Sequence, residues 1–170
     1  MRKRTLLSLM ALAPVVSACG FRLRGVPDFP FSSIYLKAPA GSSFARELQR
    51  NLATAGAKLT VLRDPAKPED AQVIWELIGE RRERITISKN AAGQVRDIQL
   101  RYRMTFRLYA PDGSEWIAPI ELEQERDMSY DESLALAKDQ EAEIIYQNMQ
   151  SDLVQQVMRR LSSAQPPSAS

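Results

Sequence analysis

Three sets of residues in this chain have types and spacings that could do chemistry. The single cysteine, Cys19, follows the small residues Ser17 and Ala18. A lone thiol cannot close an internal disulfide or build a Cys-rich metal cluster, which leaves nucleophile, redox thiol or attachment point. Glu121, Glu123 and Glu125 alternate and so share one strand face, and paired carboxylates can hydrolyse glycosides. Arg101, Arg103 and Arg107 also fall on one alternating face, with Lys89 upstream and Lys138 downstream. Guanidinium forks suit phosphate and carboxylate groups. The absences narrow the field further. There is no histidine, which removes imidazole zinc sites, His-based triads and histidine acid–base catalysis. No EF-hand spacing supports a carboxylate-only metal site.

The context of Cys19 decides among its roles. Met1-Arg2-Lys3-Arg4 is a short basic segment, and Thr5 to Val16 is an apolar run of twelve. Such a run is too short to span a bilayer but has the length of a secretory signal core. With small residues before the only thiol, Val16-Ser17-Ala18-Cys19-Gly20 resembles the lipobox of bacterial lipoproteins; the alternative is an ordinary signal peptide with a chance cysteine. The lipobox implies cleavage before Cys19, S-diacylglycerol on its sulfur and an acyl chain such as palmitate on its new amino group. Three chains exceed the two-signal threshold for stable anchoring. Cys19 is then an anchor, and no dissociable cofactor or metal is expected. Gly20 after the cysteine, rather than Asp, fits sorting to the outer membrane. Cleavage also removes three basic residues, so 20 remain against 21 acidic ones, a net charge of −1. The basic balance belongs to the precursor alone, and no nucleic-acid partner is implied.

The elements that would position these groups follow from hydrophobic periodicity. Residues 1–18 read as the signal peptide, 19–30 as a lipidated tether, 31–161 as one domain and 162–170 as a disordered tail rich in Ser, Ala and Pro. Ser33 to Ala38 reads as a strand. Ser42 and Ser43 offer cap hydroxyls to a helix carrying Phe44, Leu48, Leu52 and Ala55, closed by Gly56. Lys58 to Leu62 is a short strand, and Ala71 to Ile87 a long one with Val73, Trp75 and Leu77 on one face. Asp97 to Tyr109 carries the clearest pattern: Ile98, Leu100, Tyr102, Met104, Phe106 and Leu108 alternate strictly with polar residues. That alternation predicts an antiparallel strand with one buried face. Pro111-Asp112-Gly113 turns the chain into Trp116 to Asp127. Ser129 and Glu132 suggest a capping box for a final helix. Ser133 to Leu161, 29 residues without Pro or Gly, would be about 43 Å long. The order β-α-β-β-β-β-α predicts an α+β domain with two helices on one face of a mainly antiparallel sheet.

Charge is segregated. Glu80 to Arg107 holds eight basic and three acidic residues, whereas Glu121 to Asp152 holds ten acidic residues against Arg126 and Lys138. Both stretches have a plain reading as solvated faces. The basic strand face also has the chemistry to bind an anion, and the two readings stand side by side. Hydrolysis of cell wall through the paired carboxylates is the enzymatic alternative for an envelope lipoprotein. It lacks interleaved aromatic residues to hold a sugar.

Further motifs carry a family resemblance. Cys19-Gly20-Phe21-Arg22-Leu23-Arg24-Gly25 is similar to a "CGFxLRG" start. Arg126-Asp127-Met128-Ser129-Tyr130-Asp131, then Leu134-Ala135-Leu136-Ala137-Lys138, then Gln155-Gln156-Val157-Met158-Arg159-Arg160-Leu161, is similar to a second-helix block. Together they resemble the lipopolysaccharide-assembly lipoprotein family, LptE. The resemblance implies two helices against a four-stranded mixed sheet, no enzymatic activity, and residence in the outer membrane through the lipid anchor. It implies a plug on the periplasmic side and in the lumen of an LptD-type outer-membrane β-barrel, and a joint role in lipopolysaccharide insertion. Lys138 matches the lysine of the family's "LAK" motif, which is linked to lipopolysaccharide binding; Arg101 and Arg103 are the next candidates, and Lys89 could fill a second basic position near the hairpin turn.

Overall fold

The computed structural model describes residues 28–55 and 59–166. Cys19, the lipobox and the "CGFxLRG" start lie outside the described residues, as do Gly56 and Lys58. Among the described residues, the α-helices and strands run in the order β1 (Ser33–Lys37), α1 (Ser43–Thr54), β2 (Thr60–Leu62), β3 (Val73–Lys89), β4 (Val95–Tyr109), β5 (Glu115–Ser129) and α2 (Ala135–Ser162). They form an α+β fold with both helices on one face of a mixed sheet. The sheet has five strands in the order β2-β1-β3-β4-β5, not the four implied by the family resemblance. At one edge β2 pairs parallel to β1 from Ser33↔Thr60 to Tyr35↔Leu62. It is a three-residue edge strand, returned alongside β1 by α1. β1 also runs parallel to β3, whereas β3, β4 and β5 form an antiparallel meander.

Alternation fixes which face each strand residue takes. Ile98, Leu100, Tyr102, Met104, Phe106 and Leu108 of β4 are all buried beneath the helices, with Trp75 and Leu77 of β3 beside them. α1 adds Phe44, Leu48 and Leu52, and α2 adds Met149, Leu153, Val157 and Leu161. Trp75 stacks between Phe44 at 6.2 Å and Phe106 at 6.0 Å between ring centres, an arrangement that favours aromatic pairs beyond simple area burial. The core reaches past both expected domain limits. Phe29, within the expected tether, stacks on Phe31, which meets Trp116 edge-on. Ala164, within the expected tail, is buried in the same core.

The start of α2 differs from the expected capping box. Ser129 is the last residue of β5, and Asp131 does the capping. Its carboxylate accepts from the Ser133 N–H at 2.9 Å and the Ser133 hydroxyl at 2.7 Å, opening a 3-10 turn over Glu132–Leu134 that leads into the helix. A carboxylate two residues before a free N–H caps more effectively than a hydroxyl still held in a strand. At α1, Ser42 caps as expected, accepting from the Ala45 N–H at 3.1 Å.

One polar cluster ties the two layers together. Gln150 of α2 is 7% exposed. It accepts from the Ser43 hydroxyl at 2.8 Å, Arg82 at 3.2 Å and the Tyr102 hydroxyl at 3.3 Å, and donates to Glu47 at 2.5 Å. Tyr102 also donates to Glu80; burial, then the Glu80 carboxylate, raise its phenol pKa well above the usual range. Toward the N-terminus of α2, Tyr146 donates to the Glu83 carbonyl at 2.6 Å, Glu143 pairs with Arg82 at 3.1 Å, and Asp139 pairs with Arg84 at 2.5 Å. No described helix is long and apolar enough to cross a membrane.

Candidate functional site

The long strands and the long helix end together at one pole of the domain. There the β3–β4 hairpin closes over Asn90–Gln94, with Gly93 at φ 82° as the turn requires. β5 finishes at Ser129, and α2 begins. Between them lies a cleft of about 660 Å³ lined by the hairpin tip, Arg96, Asp97, residues 129–134 and Lys138. Lys138 is the sequence candidate that the fold places in it. Its side chain is 17% exposed, less open than a free helix surface position. Its ammonium donates to the Ser129 hydroxyl at 3.2 Å and to Glu141 one turn on at 2.9 Å. The acidic residues of the cleft are partly occupied: Asp97 accepts from the Ser88 hydroxyl at 2.5 Å. Asp131 is held below the usual carboxylate range, first by the Ser133 hydroxyl and then by its N–H.

The strand arginines are on the opposite face of the sheet, away from the helices and from Lys138, and each is paired. Arg101 meets Glu125 at 2.6 Å, Arg103 meets Glu123, and Arg107 meets Glu76 at 2.6 Å. Lys37 reaches the same Glu76 at 2.7 Å. Burial pushes the Glu76 carboxyl up, but hydrogen bonds from Lys37 and Arg107 outweigh it and hold the group below its ordinary value. The basic face is therefore a ladder of cross-strand ion pairs, in which β5 supplies carboxylates in register with Arg101 and Arg103 and β3 supplies Glu76 opposite Arg107. The same ladder accounts for the alternating glutamates. Glu123 and Glu125 are guanidinium partners, and Glu121 stands opposite Thr105, so no two of them converge on a free cavity as hydrolysis needs. Lys89 is exposed at the end of β3 and does not line the cleft, although its neighbour Asn90 does.

Arg96 was not singled out in the sequence, yet it lines the cleft with Lys138. The signal was parity. The buried residues of β4 are even-numbered from Ile98 onward, and Arg96 is the next even position, on the helix side of the strand. The odd-numbered arginines stand out in the sequence because they repeat. Among the described residues, no cluster of carboxylates or thiols is arranged to hold a metal ion.

A two-helix, five-stranded α+β domain with an ion-paired outer face and a polar cleft at one pole has structural counterparts among bacterial lipoproteins. Lipoprotein B from Nitrosomonas europaea superposes with a TM-score of 0.70 at 32% identity, over 85% of this chain and 91% of that one. The rare lipoprotein B from Shewanella oneidensis shares the fold with a TM-score of 0.65 at 24% identity. The family model for LptE, lipopolysaccharide-assembly, matches residues 26–161, and the chain belongs to that family. The LPS-assembly lipoprotein LptE of Photorhabdus laumondii is 31% identical, over 95% of this chain and 87% of its own length. The Yersinia enterocolitica protein of the same name is 30% identical, over 95% and 77% respectively.

Proposed function

We propose that this chain is an outer-membrane lipoprotein of lipopolysaccharide assembly, acylated on Cys19 and working as a non-enzymatic subunit with an LptD-type β-barrel. The observation that carries it is the family match across 26–161, which spans nearly all of the packed domain rather than one motif. The fold suits a plug. The outer sheet face and the N-terminal half of α2 are charged yet largely self-paired, a surface that can lie against the polar interior of a large barrel. Detergent extraction followed by affinity purification tests it: the barrel should co-purify in a stable complex. A chain that runs only as a free monomer returns the question to a solitary envelope protein. Acylation is tested by metabolic labelling with a lipid precursor, in which Cys19→Ala should lose all label.

Lipopolysaccharide is the proposed ligand, and Lys138 the proposed centre of its contact. Arg101 and Arg103 would first have to leave Glu125 and Glu123, and Lys89 stands off the cleft. Lys138→Asp replaces attraction for a lipid A phosphate with repulsion and should cost on the order of 1–3 kcal/mol, ten- to a hundredfold in affinity.

A further inference from the structure

The outer sheet face is built in rows that cross β3, β4 and β5. Arg81, Arg103 and Glu123 share one row, and Glu83, Arg101 and Glu125 the next. Glu123 meets Arg103, Glu125 meets Arg101, and Asp127 accepts from Gln99 at 3.2 Å. The row of Gly79, Thr105 and Glu121 breaks this pattern. Its middle position is threonine, between Arg103 and Arg107 on the same face. Glu121 is exposed and, among the described residues, has no side-chain partner. Gly79 lies inside a 17-residue strand, where glycine weakens pairing and packs nothing. The bulge at Ile78 does not require it. Its φ is not positive, and a Cβ built on it meets no atom within 4 Å beyond its chain neighbours. Nothing inside the chain calls for glycine there, and a bare strand backbone suits close approach by another molecule. The three residues floor a notch of about 350 Å³, flanked by Glu80, Arg81 and Arg103. Its charge is negative once existing pairs are counted. Arg103 is held by Glu123, and Arg81 by Glu83 at 3.4 Å. Glu80 receives hydroxyl donors, from Tyr102 and from Ser42 at 3.3 Å, so neither it nor Glu121 has a cation paired to it.

We propose that this notch is a socket for one basic side chain, lysine or arginine, projecting from the lumen wall of the barrel partner. This rests on the reading of the chain as a barrel plug, and it assigns the outer sheet face to the barrel wall. The incoming cation adds the missing rung of the ladder, pairing Glu121 as Arg101 pairs Glu125. Closure of the notch by the wall removes water from the pair and strengthens it. A single charged peg in a complementary socket also fixes the register of plug against barrel. An arginine at position 105 would have closed the ladder from within. The short Thr105 and the absent side chain at Gly79 instead leave room for a group from outside.

The test is competition for the barrel between full-length chains. A variant and the unmodified chain, differently tagged, are co-expressed with the barrel; the barrel is purified in detergent and the ratio of the two chains on it is read. Thr105→Arg supplies the missing guanidinium from within and should keep the circular dichroism of the fold while lowering its share about tenfold. Gly79→Val should raise the melting temperature of the full chain in detergent, because valine suits a strand better than glycine, yet lower its share on the barrel. Glu121→Gln should cost about three- to tenfold, and Glu121→Lys more. Glu115→Gln, on the same strand but outside the notch, should change nothing. If every variant competes equally, the socket is overturned while the plug reading stands. If no barrel is recovered even with the unmodified chain, both fall. A Gly79→Val chain that melts lower assigns the glycine to the fold, and an equal loss with Glu115→Gln reduces the effect to strand charge; either overturns the socket. A gain for Glu121→Gln overturns the basic occupant. A dimer of the barrel-free chain that Thr105→Arg disperses makes a second copy the occupant and overturns the assignment to the barrel.

Discussion

Gln150→Leu is the most informative single perturbation of the fold, because it removes polarity without removing volume. The side chain makes four hydrogen bonds that join α1, β3, β4 and α2. Leucine fills the space but can neither accept from Ser43, Arg82 and Tyr102 nor donate to Glu47. Three of the four partners keep other contacts: Arg82 retains Glu143, Tyr102 retains Glu80, and Glu47 retains the Ser151 hydroxyl at 2.6 Å. The full desolvation penalty of four orphaned groups therefore does not apply. Two neutral bonds at about 0.5–1.5 kcal/mol each and two charged ones at about 1.5–3 sum to about 4–9 kcal/mol, which the partners' remaining contacts and the burial of the leucine reduce to a net loss of about 2–4 kcal/mol. For a domain of this size that corresponds to a fall in Tm of about 10 °C. Thermal unfolding of the full chain in detergent, followed by circular dichroism, measures it. A Gln150→Leu chain that melts within about 2 °C of the original would show that burying leucine offsets the lost bonds. The cluster would then not be what locks α2 onto the sheet.

Phe106→Ala removes a fully buried ring from the Phe44–Trp75–Phe106 stack and should cost about 3–5 kcal/mol, read as a large drop in the midpoint of urea unfolding. Because the Glu76 carboxyl titrates below its unfolded value of 4.5, its pairing stabilises the fold above that pH and is lost as pH falls through the depressed folded value. Glu76→Gln should therefore melt lower than the original chain at pH 7, with the gap closing under strongly acidic conditions; a gap that persists there contradicts the pairing. Arg84→Ala removes the 2.5 Å contact to Asp139 and should speed amide hydrogen exchange over residues 135–141 while leaving 149–161 protected.

The parts of the structure written plainly in the sequence are those in which one residue type repeats at one period. β4 is the clearest case: six alternating apolar residues specify both the strand and its buried face, and all six are buried as the alternation requires. Ser42 at the start of α1 and the stripe through Met149, Leu153 and Val157 are legible for the same reason. What depends on partners distant in sequence was not legible. The arginines of β4 look like an open basic face until β5 brings Glu125 and Glu123, and β3 brings Glu76, into register opposite them. Ser129 and Glu132 satisfy the pattern of a capping box, but β5 runs on through Ser129 and hands the role to Asp131. β2 reads as a strand, yet its three residues gave no sign of which edge they would join. Lys138 was legible through its motif, and Arg96 only through parity.

These features bear on why the cleft is at this end of the molecule. The apolar core holds α2 from Ala142 onward, where Met149, Leu153, Val157 and Leu161 are fully buried. Between Ala135 and Glu141 no residue of α2 is buried. That segment is held by Arg84–Asp139 and by Lys138 on Ser129, surface contacts each worth under about 1 kcal/mol. Leu134 and Leu136 are exposed beside it. An end held by weak polar contacts can exchange them for those of a ligand at little cost, because each ion pair lost is replaced by another of similar strength. A lysine packed into the apolar part of the helix could not do so, since releasing it would open the core. The sequence therefore divides one helix into two mechanical parts, a C-terminal half that fixes the fold and an N-terminal half that presents Lys138 opposite Arg96.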